Sequence, residues 1–309
     1  MIIGHQQILD FFKKATQNNT LSHAYCFSGV SKIGKKTVAK KIASDLLEID
    51  HGKLETSPDY FYLTRELDKK TGKLKKDLSV DQIRELRNRV QTMSWIDGYK
   101  IVVIDEAESL SKAGSNALLK ILEEPGKKTI FFLITEHEDL LLATIKSRCQ
   151  NFYLSVLSDK ELEKGLISRN YREEKIKEVL RYANGKAGLA IELLEDEELF
   201  NNLKKTVQDC NSLISLPIYE RFAFLDKYLG GKKDTAMGKE ELKKDLDAWI
   251  LETRRIILEK VKSLSADRQE DESGKIKQLR KLLDKMQEAK KLVLQNINPK
   301  LLIENLFLN

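Results

Sequence analysis

Ala24-Tyr-Cys-Phe-Ser28-Gly29-Val-Ser-Lys-Ile-Gly34-Lys35-Lys36-Thr37 is the stretch on which the fold turns. An apolar run stops at Gly29, two glycines bracket a short loop, and Thr37 to Leu47 then sets Val38, Ile42, Leu46 and Leu47 on one face with lysines opposite. This pattern predicts a buried strand, a loop and an amphipathic helix. Gly29-x₄-Gly34-Lys35 suits a phosphate group, because backbone amides converge at a helix N-terminus and the lysine adds a point charge beside them. Position 36 breaks the pattern. Such loops continue with a Ser or Thr whose hydroxyl holds Mg²⁺, whereas Lys36 offers no hydroxyl and brings a positive charge to the place of the cation. Thr37 comes one residue late and therefore points about 100° away on a helix.

Three further apolar runs predict strands: Tyr60–Thr64, Lys100–Ile104 and Ile130–Ile134. Between the last two lies an amphipathic helix, Ser115–Glu124, halted by Glu124-Pro125-Gly126. Ser79-Val-Asp-Gln82 is a capping box opening a helix through Val90, and Asp68 to Asp77, with seven charges around Gly72, predicts a solvated hairpin tip. Strands that read as continuous apolar runs and alternate with helices indicate a parallel sheet covered on both faces. Asp105-Glu106 closes the third strand, where one carboxylate could hold a Mg²⁺-bound water and the other could orient an attacking water. The alternative is two acids that cap the next helix. Ser147-Arg148-Cys149 follows the fourth strand and a short apolar helix, and by spacing alone Arg148 reads first as a surface charge.

A chain of 309 residues, at about 150 per domain, holds two or three domains. Charged residues at 33%, with only 4 Pro and 15 Gly, favour helix over sheet. Basic and acidic residues interleave, so the net charge of +6 supports nucleic-acid contact weakly. Residues 231–309 carry 18 basic and 14 acidic side chains, a surplus too diffuse for tight DNA binding by this chain alone. Neither an 18-residue apolar run nor a secretory signal is seen, which predicts a cytoplasmic protein with no membrane span. Cys26, Cys149 and Cys210 lack paired spacing and read as small buried hydrophobes. Trp95 and Trp249 read as core.

From Leu157 onward helical periodicity takes over. Ser158-Asp-Lys-Glu161 is a second capping box, Asn184-Gly185-Lys186-Ala187-Gly188 ends one helix before another restarts at Leu189, and 203–229, 240–263, 274–294 and 299–308 predict four more helices. Residues 156–200 then form a small helical domain and 201–309 a third, all-helical one.

With those residues in view, the chain resembles the bacterial replicative clamp-loader family within the AAA+ ATPases, and within it the delta-prime type of subunit. The matching stretches are Leu21-Ser-His-Ala-Tyr-Cys-Phe-Ser-Gly29, Val102-Val-Ile-Asp-Glu-Ala-Glu108, Ala117-Leu-Leu-Lys-Ile-Leu-Glu-Glu-Pro125, Ser147-Arg148-Cys149 and Asn296-Ile-Asn-Pro-Lys-Leu-Leu-Ile-Glu-Asn-Leu306. The resemblance implies an α/β RecA-like (AAA+) core with a parallel sheet over 1–155, a three-helix lid over 156–200 and an all-α collar over 201–309 that joins five subunits in a ring. It implies gamma/tau and delta subunits, the sliding clamp and primed DNA as partners within the DNA polymerase III assembly.

The resemblance also carries roles. Arg148, with Ser147 beside it, would be the finger that reaches the ATP site of a neighbouring subunit. Gly29, Gly34, Lys35, Lys36, Thr37, Asp105 and Glu106 would form a degenerate ATP site. Delta-prime-type subunits often lack the loop hydroxyl and the lid arginine, as Lys36 and Gly188 suggest here, so the expectation is a stator with little or no ATPase activity of its own. The alternative is an active gamma/tau-type motor. Many relatives carry a four-cysteine zinc module that His51 to Asp59 lacks, so no zinc is expected, while Asp105-Glu106 leaves ATP and Mg²⁺ open as cofactors.

Overall fold

The structure, a computed structural model, describes residues 2–68, 72–91, 98–126, 128–230, 236–263, 269–293 and 298–308. It divides into two compact units, Met1–Glu195 and Asp196–Asn309.

The first unit is built on a parallel five-stranded sheet in the order β2-β3-β4-β1-β5, with β1 Ala24–Ser28, β2 Tyr60–Leu63, β3 Lys100–Ile104, β4 Thr129–Thr135 and β5 Gln150–Tyr153. Side chains of a strand alternate between faces, and β1 uses both. Tyr25 and Phe27 join Phe12, Val38, Ile42 and Phe132 on one side, where helices α1 (Gln6–Gln17) and α2 (Lys35–Leu46) pack. Ala24 and Cys26 join Leu86, Val102, Leu118 and Phe131 on the other, under α3 (Val80–Gln91) and α4 (Lys112–Glu123). Both faces being covered explains why β1, β3 and β4 are buried at every position. Each buried Phe removes roughly 1.5–3 kcal/mol worth of apolar surface from water.

The expected parallel sheet, its four strands and both capping boxes are present. Ser79 Oγ accepts the Gln82 amide at 3.3 Å while Gln82 Oε1 accepts the Ser79 amide at 3.0 Å, and the Ser158–Glu161 box opens α6 (Asp159–Ile167). Leu67 and Leu74 form an antiparallel bridge at the expected hairpin, whose tip, 69–71, lies outside the described residues, as does Trp95. The fifth strand was not predicted. Gln150-Asn-Phe-Tyr lies at the sheet edge with only Phe152 turned toward the core, so it carries no apolar run to detect.

Three helices complete the unit: α6, α7 (Glu173–Ala183) and α8 (Ala187–Glu195). Asn184 and Gly185 adopt left-handed φ values of 49° and 72°, which end α7 and let α8 begin two residues before the expected Leu189.

The second unit is helical: α9 Glu197–Ser215, α10 Ile218–Gly230, α11 Ala236–Ser263, α12 Gln269–Leu292 and α13 Pro299–Leu308. The single helix expected over 203–229 is two. Pro217 has no amide to donate, and Leu216 before it is extended at φ −67°, ψ 146°. Trp249 is fully buried among Leu246, Met286, Val293, Ile303 and Phe307, as its sequence context suggests. Among the described residues no helix is long and apolar enough to cross a membrane.

Candidate functional site

The loop between β1 and α2 is shaped by its glycines. Gly29 sits at φ 144°, and a β-carbon there would lie 2.4 Å from the carbonyl oxygen of Leu154 and 2.7 Å from Ile33, so no larger residue fits. Gly34, at φ 104°, is the cap of α2, where the backbone angle and not space demands glycine. Ile33, 1% exposed, plugs the loop into the core.

Lys35 is buried, and its ammonium is turned back onto the loop: Nζ donates to the carbonyls of Gly29 at 2.6 Å and Val30 at 2.8 Å. Burial pulls its pKa below the ordinary lysine value, against the opposing pull of Glu136, Glu108 and Asp105. Two more loop carbonyls are engaged by other parts of the unit. The Gly188 amide, at the start of α8, donates to Lys32 O at 2.7 Å, and His5 Nε2 lies 3.0 Å from Ile33 O. A β-carbon on Gly188 would stand 2.7 Å from Lys32 O, and the Lys32 side chain pairs with Glu192 of α8. The first turn of α8 therefore rests directly on the loop backbone.

Lys36 points toward the end of β3. Its Nζ lies 3.9 Å from Asp105 Oδ2 and 4.2 Å above the Tyr62 ring, a cation–π arrangement. The Tyr62 hydroxyl donates to Asp105 Oδ2 at 2.6 Å, and the Glu106 amide donates to Oδ1 at 3.0 Å, so both oxygens of Asp105 are in use. Burial first, and the bond to Asp105 second, push the Tyr62 hydroxyl well above the usual phenol range. Thr37 is exposed on α2.

Glu106 has left-handed backbone at φ 54°, a conformation that costs of order 1–3 kcal/mol in a non-glycine residue. Its carboxylate is clamped by a bidentate Arg65, with Nε and NH2 each at 2.7 Å. That guanidinium holds the Glu106 carboxyl below the ordinary carboxylate value, against partial burial. A depressed pKa stabilises the fold above the unfolded carboxylate value, and this contribution is lost as pH falls through the folded one. In Arg65→Ala, an NMR titration should find the Glu106 carboxyl returned toward 4.5, its ordinary value. A carboxyl that stays low would mean that Thr64 and Lys36, the lesser causes, set it.

The residues expected at a degenerate ATP site thus do meet, with Thr37 on the outside, but the polar groups of Lys35, Asp105 and Glu106 already have partners within the unit. They do not fit Mg²⁺-nucleotide as they stand: an ammonium faces Asp105, the loop lysine is spent on carbonyls, and Glu106 is paired. Tyr62 and Arg65 were missed by sequence reasoning. They lie 43 and 41 positions from the carboxylates they bind, Tyr62 on β2 and Arg65 just after it, in a stretch whose spacing announces nothing about its neighbour.

Arg148 and Ser147 stand apart from this cluster, after α5 (Ala143–Lys146). Ile145, 1% exposed, anchors α5 in the core, and Cys149 packs against the same cluster, which turns the intervening Arg148 outward. Ser147 ends the helix, its hydroxyl donating to Thr144 O at 3.1 Å. Arg148 NH1 donates to Thr144 O at 3.0 Å and NH2 to Glu123 Oε1 at 2.7 Å. The three cysteines are free thiols, and burial pushes each up to about 12, far from reactive. Among the described residues no three His, Cys, Asp or Glu side chains are placed to hold a metal ion.

Residues 4–158 match the family model described as DNA polymerase III, delta subunit. The chain is 28% identical over 242 residues to the DNA polymerase III gamma subunit of Buchnera aphidicola subsp. Schizaphis graminum, covering 74% of this chain and 66% of that one. It is 37% identical over 142 residues to the delta' subunit of Pseudomonas aeruginosa, covering 41% and 42%, and 42% identical over 100 residues to that of Escherichia coli K12, covering 32% and 28%. The chain thus spans two-thirds or less of the length of each of these relatives. A solved DNA polymerase III gamma-subunit-related protein of Thermotoga maritima superimposes with a TM-score of 0.54 at 18% identity, over 96% of this chain and 97% of that one, a likeness of fold.

Proposed function

Because the chain belongs to the DNA polymerase III delta subunit family of clamp-loader proteins, we propose that it is a delta-prime-type subunit, a stator that hydrolyses little or no ATP itself. In this proposal residues 1–155 are the core, 156–200 the lid and 201–309 the collar that joins gamma/tau and delta subunits. The assembly then opens the sliding clamp and loads it on primed DNA. Arg148 extends to the triphosphate of a neighbouring motor subunit and stabilises charge on its γ-phosphoryl oxygens.

The observation that carries the proposal is the position of Lys36. Its ammonium lies 3.9 Å from the Asp105 carboxylate, so a monocation stands where a Mg²⁺-bound water would need that acid. The Arg65 clamp on Glu106 and the seating of Gly188 on Lys32 support it, since the first occupies the residue that would orient water and the second leaves position 188 without a side chain to meet a γ-phosphate.

The active gamma/tau-type motor is the second reading. Retention of Lys35, Asp105 and Glu106 favours it, as does the gamma subunit match over 74% of the chain. Purified protein separates the two. A stator alone should turn over ATP no faster than the buffer blank and should bind a fluorescent ATP analogue weakly, with Mg²⁺ adding little. Vigorous solo hydrolysis would establish the motor instead.

A further inference from the structure

Resting on the reading of Arg148 as a finger for a neighbour's ATP, we propose that Glu123 is its positioning residue. A long arginine side chain has much rotamer freedom to lose when it is fixed, so a finger that must arrive at one geometry benefits from being held before the neighbour arrives. Two contacts hold this one. The Thr144 carbonyl takes NH1 at 3.0 Å and the Glu123 carboxylate takes NH2 at 2.7 Å, which leaves three of the five guanidinium N–H donors without a partner among the described residues. Those three remain for phosphoryl oxygens.

Both anchors are set by rigid structure. Glu123 is the last residue of α4, whose preceding Ile121 and Leu122 are 4% and 2% exposed, and α4 packs on α5 through the core that also takes Ile145. The carboxylate stands at the negative end of a helix, where a cation is favoured and a lone acid is not, so the pairing answers a need on both sides. The Glu123 and Arg148 side chains are 50% and 34% exposed. A pair this open contributes modestly and exchanges readily, so it orients the guanidinium without competing seriously with a triphosphate.

The test uses the assembly reconstituted with this chain, measuring DNA-stimulated ATP hydrolysis for Glu123→Ala, Glu123→Gln and Arg148→Ala. Positioning predicts that Glu123→Ala lowers kcat about fivefold with KM unchanged, and that Glu123→Gln, which keeps an acceptor oxygen, stays within about twofold of the unmodified protein. Melting temperature and incorporation into the assembly should not move, which sets aside a merely structural role. If Arg148→Ala cripples turnover while Glu123→Ala leaves kcat unchanged or raises it, the positioning role falls and the finger stands. If Arg148→Ala itself has no effect, both fall.

Discussion

Arg148→Ala should slow hydrolysis at the ATP site it faces by on the order of 10³-fold or more, with the assembly still formed. The size follows from the role proposed for the guanidinium, which would meet negative charge growing on the γ-phosphoryl oxygens in the transition state, in a site closed to water, where charge stabilisation is at its strongest. Assembly should survive because the side chain contributes little to its own fold. Its partners are the exposed Glu123 and one carbonyl of a short helix, and the burial that anchors the segment belongs to Ile145. Arg148→Lys should not rescue, since an ammonium cannot bond Thr144 O and Glu123 through a planar fork and still present further donors at the same place. The measurement is pre-steady-state ATP hydrolysis by the reconstituted assembly, which counts the sites that fire. If every site fires at its usual rate in the alanine variant, Arg148 serves no neighbour.

Trp249→Ala should cost about 3–5 kcal/mol in the second unit, comparable to the whole stability of many domains. The indole is fully buried, lies 5.3 Å from the Tyr228 ring and 5.4 Å from the Phe307 ring, and donates from Nε1 to the Thr206 carbonyl at 2.9 Å. Truncation removes all of these at once. It leaves a cavity between α9, α10, α11 and α13, and strips the Thr206 carbonyl of a partner, a separate cost of about 1–3 kcal/mol. Hydrogen exchange resolved by peptide should show protection lost across 197–308 and kept in β1, β3 and β4, because each unit has its own core. Since the proposed collar, 201–309, lies within the second unit, the variant should also fail to join partner subunits. Unchanged exchange over α9–α13 would show that the tryptophan is not the keystone.

Much of the fold was legible along the chain. β1, β3 and β4 are continuous apolar runs because both sheet faces are covered, and covered strands need no polar residues. Ser79–Gln82 and Ser158–Glu161 could be read because a capping box is a contact three residues long. β5 was illegible because its edge position leaves Gln150, Asn151 and Tyr153 exposed. The break at Pro217 was legible in principle, since a missing amide is written into that residue, yet the apolar periodicity on either side masked it. At the candidate site, Gly29, Gly34, Lys35, Asp105 and Glu106 were found by spacing, and what they bond to was not.

By itself the sequence determined the loop, the strands that bury on both sides, the helical second half and the lysine at position 36, because each depends on residues a few positions apart. The tertiary structure alone decided that Lys35 bonds its own loop, that Arg65 clamps Glu106, that Gly188 sits on Lys32 and that Glu123 meets Arg148. Apart from the Lys35 bonds, which the fold of the loop itself decides, these contacts join residues from 25 to 156 positions apart, and such partners meet only after the sheet order and helix packing have brought them within reach.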